Sequence, residues 1–248
     1  MFNLFKGTFL RSITEIKRYF LNWISSMISM FIIYFLIIFG FKTFGGPSIG
    51  DTVQAAALGY FTWLLMLTTM GDLSWTIMNE VNRGMIEQEF LSPYGPLTVF
   101  IFYELSNLLL SFPLLFFMMI LMFSFAGITI VLPASFYAVM ILAMLQSMGM
   151  GFILGGITLM YKRTNALLQL MQFAVIGLLF INAHGWKALL IPIAPHFALM
   201  RDILSGKSIN NVYFIYTVIG TILWLSLGFI VFRFFERKVR ISGNLSLY

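Results

Sequence analysis

Cysteine is absent from this 248-residue chain, which excludes disulfides, thiolate zinc sites, iron–sulfur clusters and thiol catalysis together. Charge is nearly as scarce. Asp, Glu, Lys and Arg make up 10% of the residues, against about 25% in soluble domains. So little charge cannot coat a water-soluble fold, and an AVILMFWYC content of 60% with a mean hydropathy of +0.94 assigns the chain to a membrane. A hydrocarbon core about 30 Å thick takes about 20 apolar residues per helix. The chain therefore reads as a single transmembrane domain over residues 1–248, all-α, with room for six spans and no soluble domain. The net charge of +6 does not indicate nucleic acid, because Lys and Arg flanking apolar spans are what insertion into a cell membrane selects.

Charge-free windows locate the spans, since an ionised side chain at a helix centre costs about 2.5–3.5 kcal/mol on insertion scales. Tyr19–Phe41, Thr52–Gly71, Thr164–Trp186 and Ser208–Phe232 are four such windows. Leu105–Tyr161 is long enough for two more, with Gly127 and Pro133 at the turn. Spans are expected at about 19–41, 52–71, 100–125, 135–160, 164–184 and 209–232. An even number leaves both termini on one side. The basic residues before the first span (Lys6, Arg11, Lys17, Arg18) and after the last (Arg233, Arg237, Lys238, Arg240) join Arg83, Lys162 and Arg163 to outnumber Lys42, Lys187, Arg201 and Lys207 opposite. That bias predicts cytoplasmic termini.

Residues 1–18 place Phe2, Phe5, Phe9, Ile13 and Ile16 at spacings of three and four, which predicts an amphipathic helix lying in the interface. Between Lys187 and Lys207 the apolar run Ala188–Met200 is too short to cross and is interrupted by Pro192 and Pro195. An external re-entrant hairpin over 187–207 is expected there, with Pro192, Pro195 and Arg201 as candidate gate residues; a plain interfacial loop is the alternative. Proline-broken backbone at membrane depth must be buried in protein or face a watery cavity.

The loop after the second span concentrates Asp72, Glu80, Glu87 and Glu89. Glu80, Arg83 and Glu87 have helical spacing, so a helix over 78–91 with an Arg83–Glu87 pair is expected, ended by Pro93, Gly95 and Pro96. The order Glu80, Arg83-Gly84, Glu87, Ser92-Pro93 resembles the cytoplasmic loop of the membrane subunits of type-2 ATP-binding-cassette (ABC) exporters. Leu58-Gly59, without the family's proline, Gly149-Met-Gly151 leading to Tyr161-Lys162-Arg163, and Pro195 through Arg201 to Gly206 are similar to further motifs in the same order, whereas Glu104 departs from the family's small or basic residue.

The resemblance implies an ABC transporter permease working as a dimer with a second copy or a homologous permease, coupled to two ABC ATP-binding subunits. The helix carrying Glu80, Arg83, Gly84, Glu87 and Glu89 would be the coupling helix, and the N-terminal arm the connecting helix. ATP and Mg would sit on the partner ATPase: the chain has no G-x-x-x-x-G-K-[ST], since Gly206-Lys207-Ser208 has Arg201 at the first glycine position. No cofactor is expected on this chain, which reads as a transport subunit and not as an enzyme.

Polar residues in membrane helices avoid lipid, which makes Asn22, Ser26 and Ser29 on the first span and Asn165, Gln169 and Gln172 on the fifth candidates for lining a pathway. Interhelical packing is the other role open to both stripes. Ser147, Gly151 and Gly155 form a small-residue stripe for close packing. Glu104 reads as an interfacial ion pair with Arg83 or Lys162, or as the proton site of an ion-coupled secondary transporter. His184 and His196 have no carboxylates at ligand spacing, so no metal site is expected. An apolar lining rich in Phe and Met suits an amphipathic, lipid-like or drug-like substrate; a lipid-linked polysaccharide is the alternative.

Overall fold

Backbone polar groups in lipid find partners only within helices or closed barrels. The computed structural model describes residues 1–44, 49–127, 132–162, 164–179, 181 and 185–242, and among these every regular element is an α-helix. In chain order they are α1 (Phe2–Arg18), α2 (Phe20–Phe44), α3 (Ile49–Asn82), α4 (Ile86–Leu91), α5 (Pro96–Ala126), α6 (Ala134–Tyr161), α7 (Asn165–Leu179), α8 (Lys187–Leu190), α9 (Ala194–Leu204) and α10 (Asn211–Ser242). Five of them, α2, α3, α5, α6 and α10, are long and apolar enough to cross a membrane.

Helix α6 is the axis of the bundle, because its glycines let two neighbours approach at backbone distance. A Cβ on Gly149 would lie 2.6 Å from the Trp224 carbonyl oxygen, and one on Gly228 would collide with the Gly149 carbonyl. On the opposite face, a Cβ on Gly151 would come within 3.1 Å of the Met70 carbonyl oxygen, and one on Gly155 within 3.0 Å of Leu73. Gly149 and Gly228 thus seat α6 on α10, while the Ser147-Gly151-Gly155 stripe meets α3. Outward faces remain apolar: Leu21, Ile28, Ile32, Leu36 and Phe39 on α2, and Ile215, Ile222 and Ile230 on α10, are exposed as lipid-facing residues would be.

Two expected elements differ. The range 164–184 holds α7, which is 15 residues long, about 22 Å at the helical rise per residue, and is shorter than a full crossing; residues 180 and 182–184, with His184, lie outside the described residues. The helix expected over 78–91 is broken in two. α3 continues eleven residues past the apolar window to Asn82, the chain turns at Gly84 with φ +69°, and α4 is a separate helix of six residues. Helices stop at backbone signals, so the first charge, Asp72, ends the apolar window without ending the helix.

The 187–207 segment is helical in two pieces. α8 and α9 flank a turn at Ile191–Ile193, where Ile193 takes φ +76° and its N–H donates to Gln146 Oε1 at 2.8 Å. Pro192, Pro195 and His196 are buried and Arg201 is exposed. A Cβ on Gly220 would meet the Ala188 carbonyl at 3.0 Å, so α8 lies against α10 backbone to backbone.

Candidate functional site

Helix α1 lies across α5 at the end of the bundle that carries α4. The face it presents is polar. Thr8 and Ser12 are its buried residues, and Thr8 Oγ1 shares a hydrogen bond with Ser106 Oγ at 3.1 Å. Phe5, stacked on Phe9, reaches Phe102 with ring centroids 6.2 Å apart. Phe2, expected on the apolar stripe, is 78% exposed.

Arg11 joins four parts of the chain. Its guanidinium bonds Glu80 at the end of α3, Glu89 on α4 at 3.0 Å and Glu15 one turn along α1 at 3.3 Å. It also lies over the Tyr103 ring on α5, 5.1 Å from the centroid, and Tyr103 Oη donates to Glu15 Oε2 at 2.8 Å. Burial works against the guanidinium charge, but Glu80 and Glu15 outweigh it and hold its pKa above the ordinary arginine value. Glu80 is 2% exposed, so its carboxylate belongs to this clamp and is not presented to an outside partner.

The acidic loop is therefore divided. Glu80 and Glu89 face inward to Arg11, whereas Glu87 and Gln88 are exposed and Leu91, at the end of α4, is 83% exposed. Arg83 does not pair with Glu87: its Nη2 donates to Tyr19 Oη at 3.4 Å, because Arg83 lies in the turn with Gly84 and Glu87 on the separate helix α4. On the far side of α4, Arg240 of α10 sits 5.3 Å from the Phe90 ring centroid and bonds Glu236 at 3.0 Å.

Above this clamp, α1, α2, α3, α5 and α7 enclose a cavity of about 690 Å³, a size suited to a small-molecule ligand. One wall is a continuous α3 stripe at helical spacing, Thr68, Asp72, Trp75, Thr76 and Asn79, with Arg83 just past the helix end. Facing it are Tyr103, Asn107 and Ser111 of α5. Thr68 falls in the expected second span and Asn79 and Arg83 in the helix expected over 78–91, whereas Asp72, Trp75 and Thr76 fall in the loop between them; their period of three to four is the signal that the helix is continuous. Asn22 and Ser26 of α2 and Gln172 of α7 line the cavity as well. Ser29, Asn165 and Gln169 do not, and are exposed elsewhere; Ser29 Oγ donates to the Ser25 carbonyl at 2.8 Å, which satisfies it within its own helix.

Glu104 is 1% exposed, and its Oε1 has no hydrogen-bond partner among the described residues. Arg83, one of its two expected partners, is turned to Tyr19, and the ionisable group that acts on Glu104 is the acidic Asp72. Arg83 thus supplies no hydrogen bond to Glu104, and the charge that bears on this buried acid is that of Asp72, which lines the cavity. At the other end of the bundle, His196 Nε2 hydrogen-bonds Thr221 Oγ1 at 3.1 Å, and burial pushes the imidazole down to about 3. Comparison of the chain with family models, with curated proteins and with solved structures finds no match.

Proposed function

We propose that the chain is the permease subunit of an ATP-driven exporter of the type-2 ABC kind. In this reading it crosses the cell membrane six times, α7 serving as the fifth crossing, with both termini and α4 in the cytoplasm. Two copies, or one copy and a homologous permease, form the pathway, and two separate ATP-binding subunits supply ATP and Mg. The observation that carries the reading is the Arg11 clamp. It fuses α1, the end of α3 and α4 into one body that leaves Glu87, Gln88 and Leu91 exposed. A short helix offering one carboxylate and one large apolar side chain suits docking into a partner's groove. Force applied at α4 reaches α3 and α5 through Arg11 and Tyr103, and both helices wall the cavity.

Co-purification from native membranes tests this. An ATPase should be recovered whose turnover falls at least about tenfold with Glu87→Arg, since that change reverses a charge at the docking face; recovery of no ATPase overturns the proposal. A second reading is favoured by the buried Glu104 beside Asp72, which is the arrangement expected of an ion-coupled carrier. It requires transport that Glu104→Gln abolishes and that ATP depletion leaves intact.

A further inference from the structure

The cavity is chemically polarised along its length. Along α3 and the turn after it the lining runs from Leu64 to Arg83 with Asp72 near its middle; Trp23, Trp75 and Tyr103 line the cavity on the α1 side of that point, and Met27, Met30 and Met118 lie further along α2 and α5. Two carboxylates, Glu15 and Asp72, and one guanidinium, Arg83, line it. Glu15 is already bonded to Arg11 and Tyr103, and Arg83 to Tyr19. Asp72 has no hydrogen-bond or ion-pair partner among the described residues, and its carboxylate opens to the cavity with the acid of Glu104 buried nearby. Trp75 and Gln172 crowd the same place: a Cβ on Gly71 would lie 3.4 Å from Trp75 Cδ1 and 3.5 Å from Gln172 Nε2.

An acid held away from bulk water without a counter-ion is costly, and a bound cation offsets that cost. Indole and phenol rings add attraction for a weakly hydrated cation, most of all a substituted ammonium. Methionines accommodate apolar bodies of varied shape. We propose that this cavity binds an amphipathic organic cation, with its charged centre at Asp72 between Trp75 and Tyr103 and its apolar body among Met27, Met30 and Met118. This names the substrate class for the exporter and, as a statement about transport, rests on that reading; the binding site is a property of the single chain.

The test is equilibrium binding of tetraphenylphosphonium to the full chain in lipid nanodiscs, with empty nanodiscs subtracted and tetraphenylborate as an anion of the same shape. Saturable binding of the phosphonium at one site per chain is expected, with no saturable binding of the borate. Asp72→Asn and, separately, Trp75→Leu should each weaken it by at least about threefold, at an unchanged thermal midpoint. No saturable phosphonium binding, equal binding of the borate, or a smaller effect of both variants overturns the proposal. The borate comparison needs no variant, so it decides the matter even if Asp72→Asn fails to fold. Phosphonium binding without any ATPase partner would remove the exporter reading and leave the site. An ATPase responsive to Glu87→Arg in a chain that ignores the phosphonium would do the reverse.

Discussion

Arg11 is the residue on which the contacts between α1, α3, α4 and α5 converge, and its removal strands Glu80, a carboxylate 2% exposed. Breaking a buried pair from one side costs about 3–5 kcal/mol, and the one-third exposure of Arg11 trims this, so Arg11→Ala should destabilise the protein by about 2–3 kcal/mol. The double variant Arg11→Met with Glu80→Gln should regain most of the loss, a coupling that a thermal-unfolding cycle in detergent measures. His196 gives a second residue-scale expectation. Its imidazole is neutral when folded and takes up a proton when unfolded, between its ordinary value near 6.5 and about 3. Stability is therefore undiminished above pH 6.5 and falls as the pH drops through that window, by up to about 1.4 kcal/mol per pH unit. His196→Gln should flatten the acid limb of the midpoint-against-pH curve. Neither effect was legible in the sequence. Arg11 and Glu80 are 69 residues apart in the chain, and a helical wheel of 1–18 shows a basic residue facing water, not the acids that come to meet it.

At the scale of elements, hydropathy was a sound guide to where helices run and a poor one to where they end. The apolar windows anticipated where α2, α5, α6 and α10 run, although α10 continues ten residues past its window, through Arg233, Arg237, Lys238 and Arg240 to Ser242. α3 behaves as α10 does: Asp72 stops an apolar count, but the hydrogen-bonded backbone runs on until Gly84 takes φ +69°. The cavity wall from Asp72 to Arg83 lay in just this overlooked stretch, which is why the sequence yielded Asn22, Ser26 and Gln172 as lining residues but not Trp75 or Asn79. The α6–α10 crossing carries its own expectation. Gly228→Leu would force a side chain into the Gly149 carbonyl, and overpacking where backbone cannot yield costs about 3 kcal/mol or more. Yield of folded protein by size-exclusion profile should collapse for Gly228→Leu and hold for Gly177→Ala, a position where a Cβ meets nothing within 4 Å.

For the whole molecule, the arrangement reads as a bundle built on α6 with two attachments of different kind. One is the α8–α9 segment, held against α10 by backbone contact and against α6 by the Ile193–Gln146 bond. The other is α1, held to α5 by a polar seam and to α4 by one guanidinium. Because the chain has no native cysteine, Thr8→Cys with Ser106→Cys places a unique thiol pair where two hydroxyl oxygens now stand 3.1 Å apart. Mild oxidation should cross-link it in the resting protein, read as a shift on non-reducing gels. If α1 travels with α4 as one body, the cross-link should also suppress substrate-stimulated turnover of a recovered ATPase.

The seat of α1 is made from Glu80, Glu89, Phe102, Tyr103 and Ser106. During synthesis the first helix leaves the ribosome long before any of these residues exists, and domains assemble as their parts emerge. Until α5 follows it out of the ribosome α1 lacks this seat, so a segment made before its partners is among the last to find its place. A bulky domain fused ahead of α1 should therefore delay maturation more than one fused after α10, a contrast that pulse-chase protease protection would register.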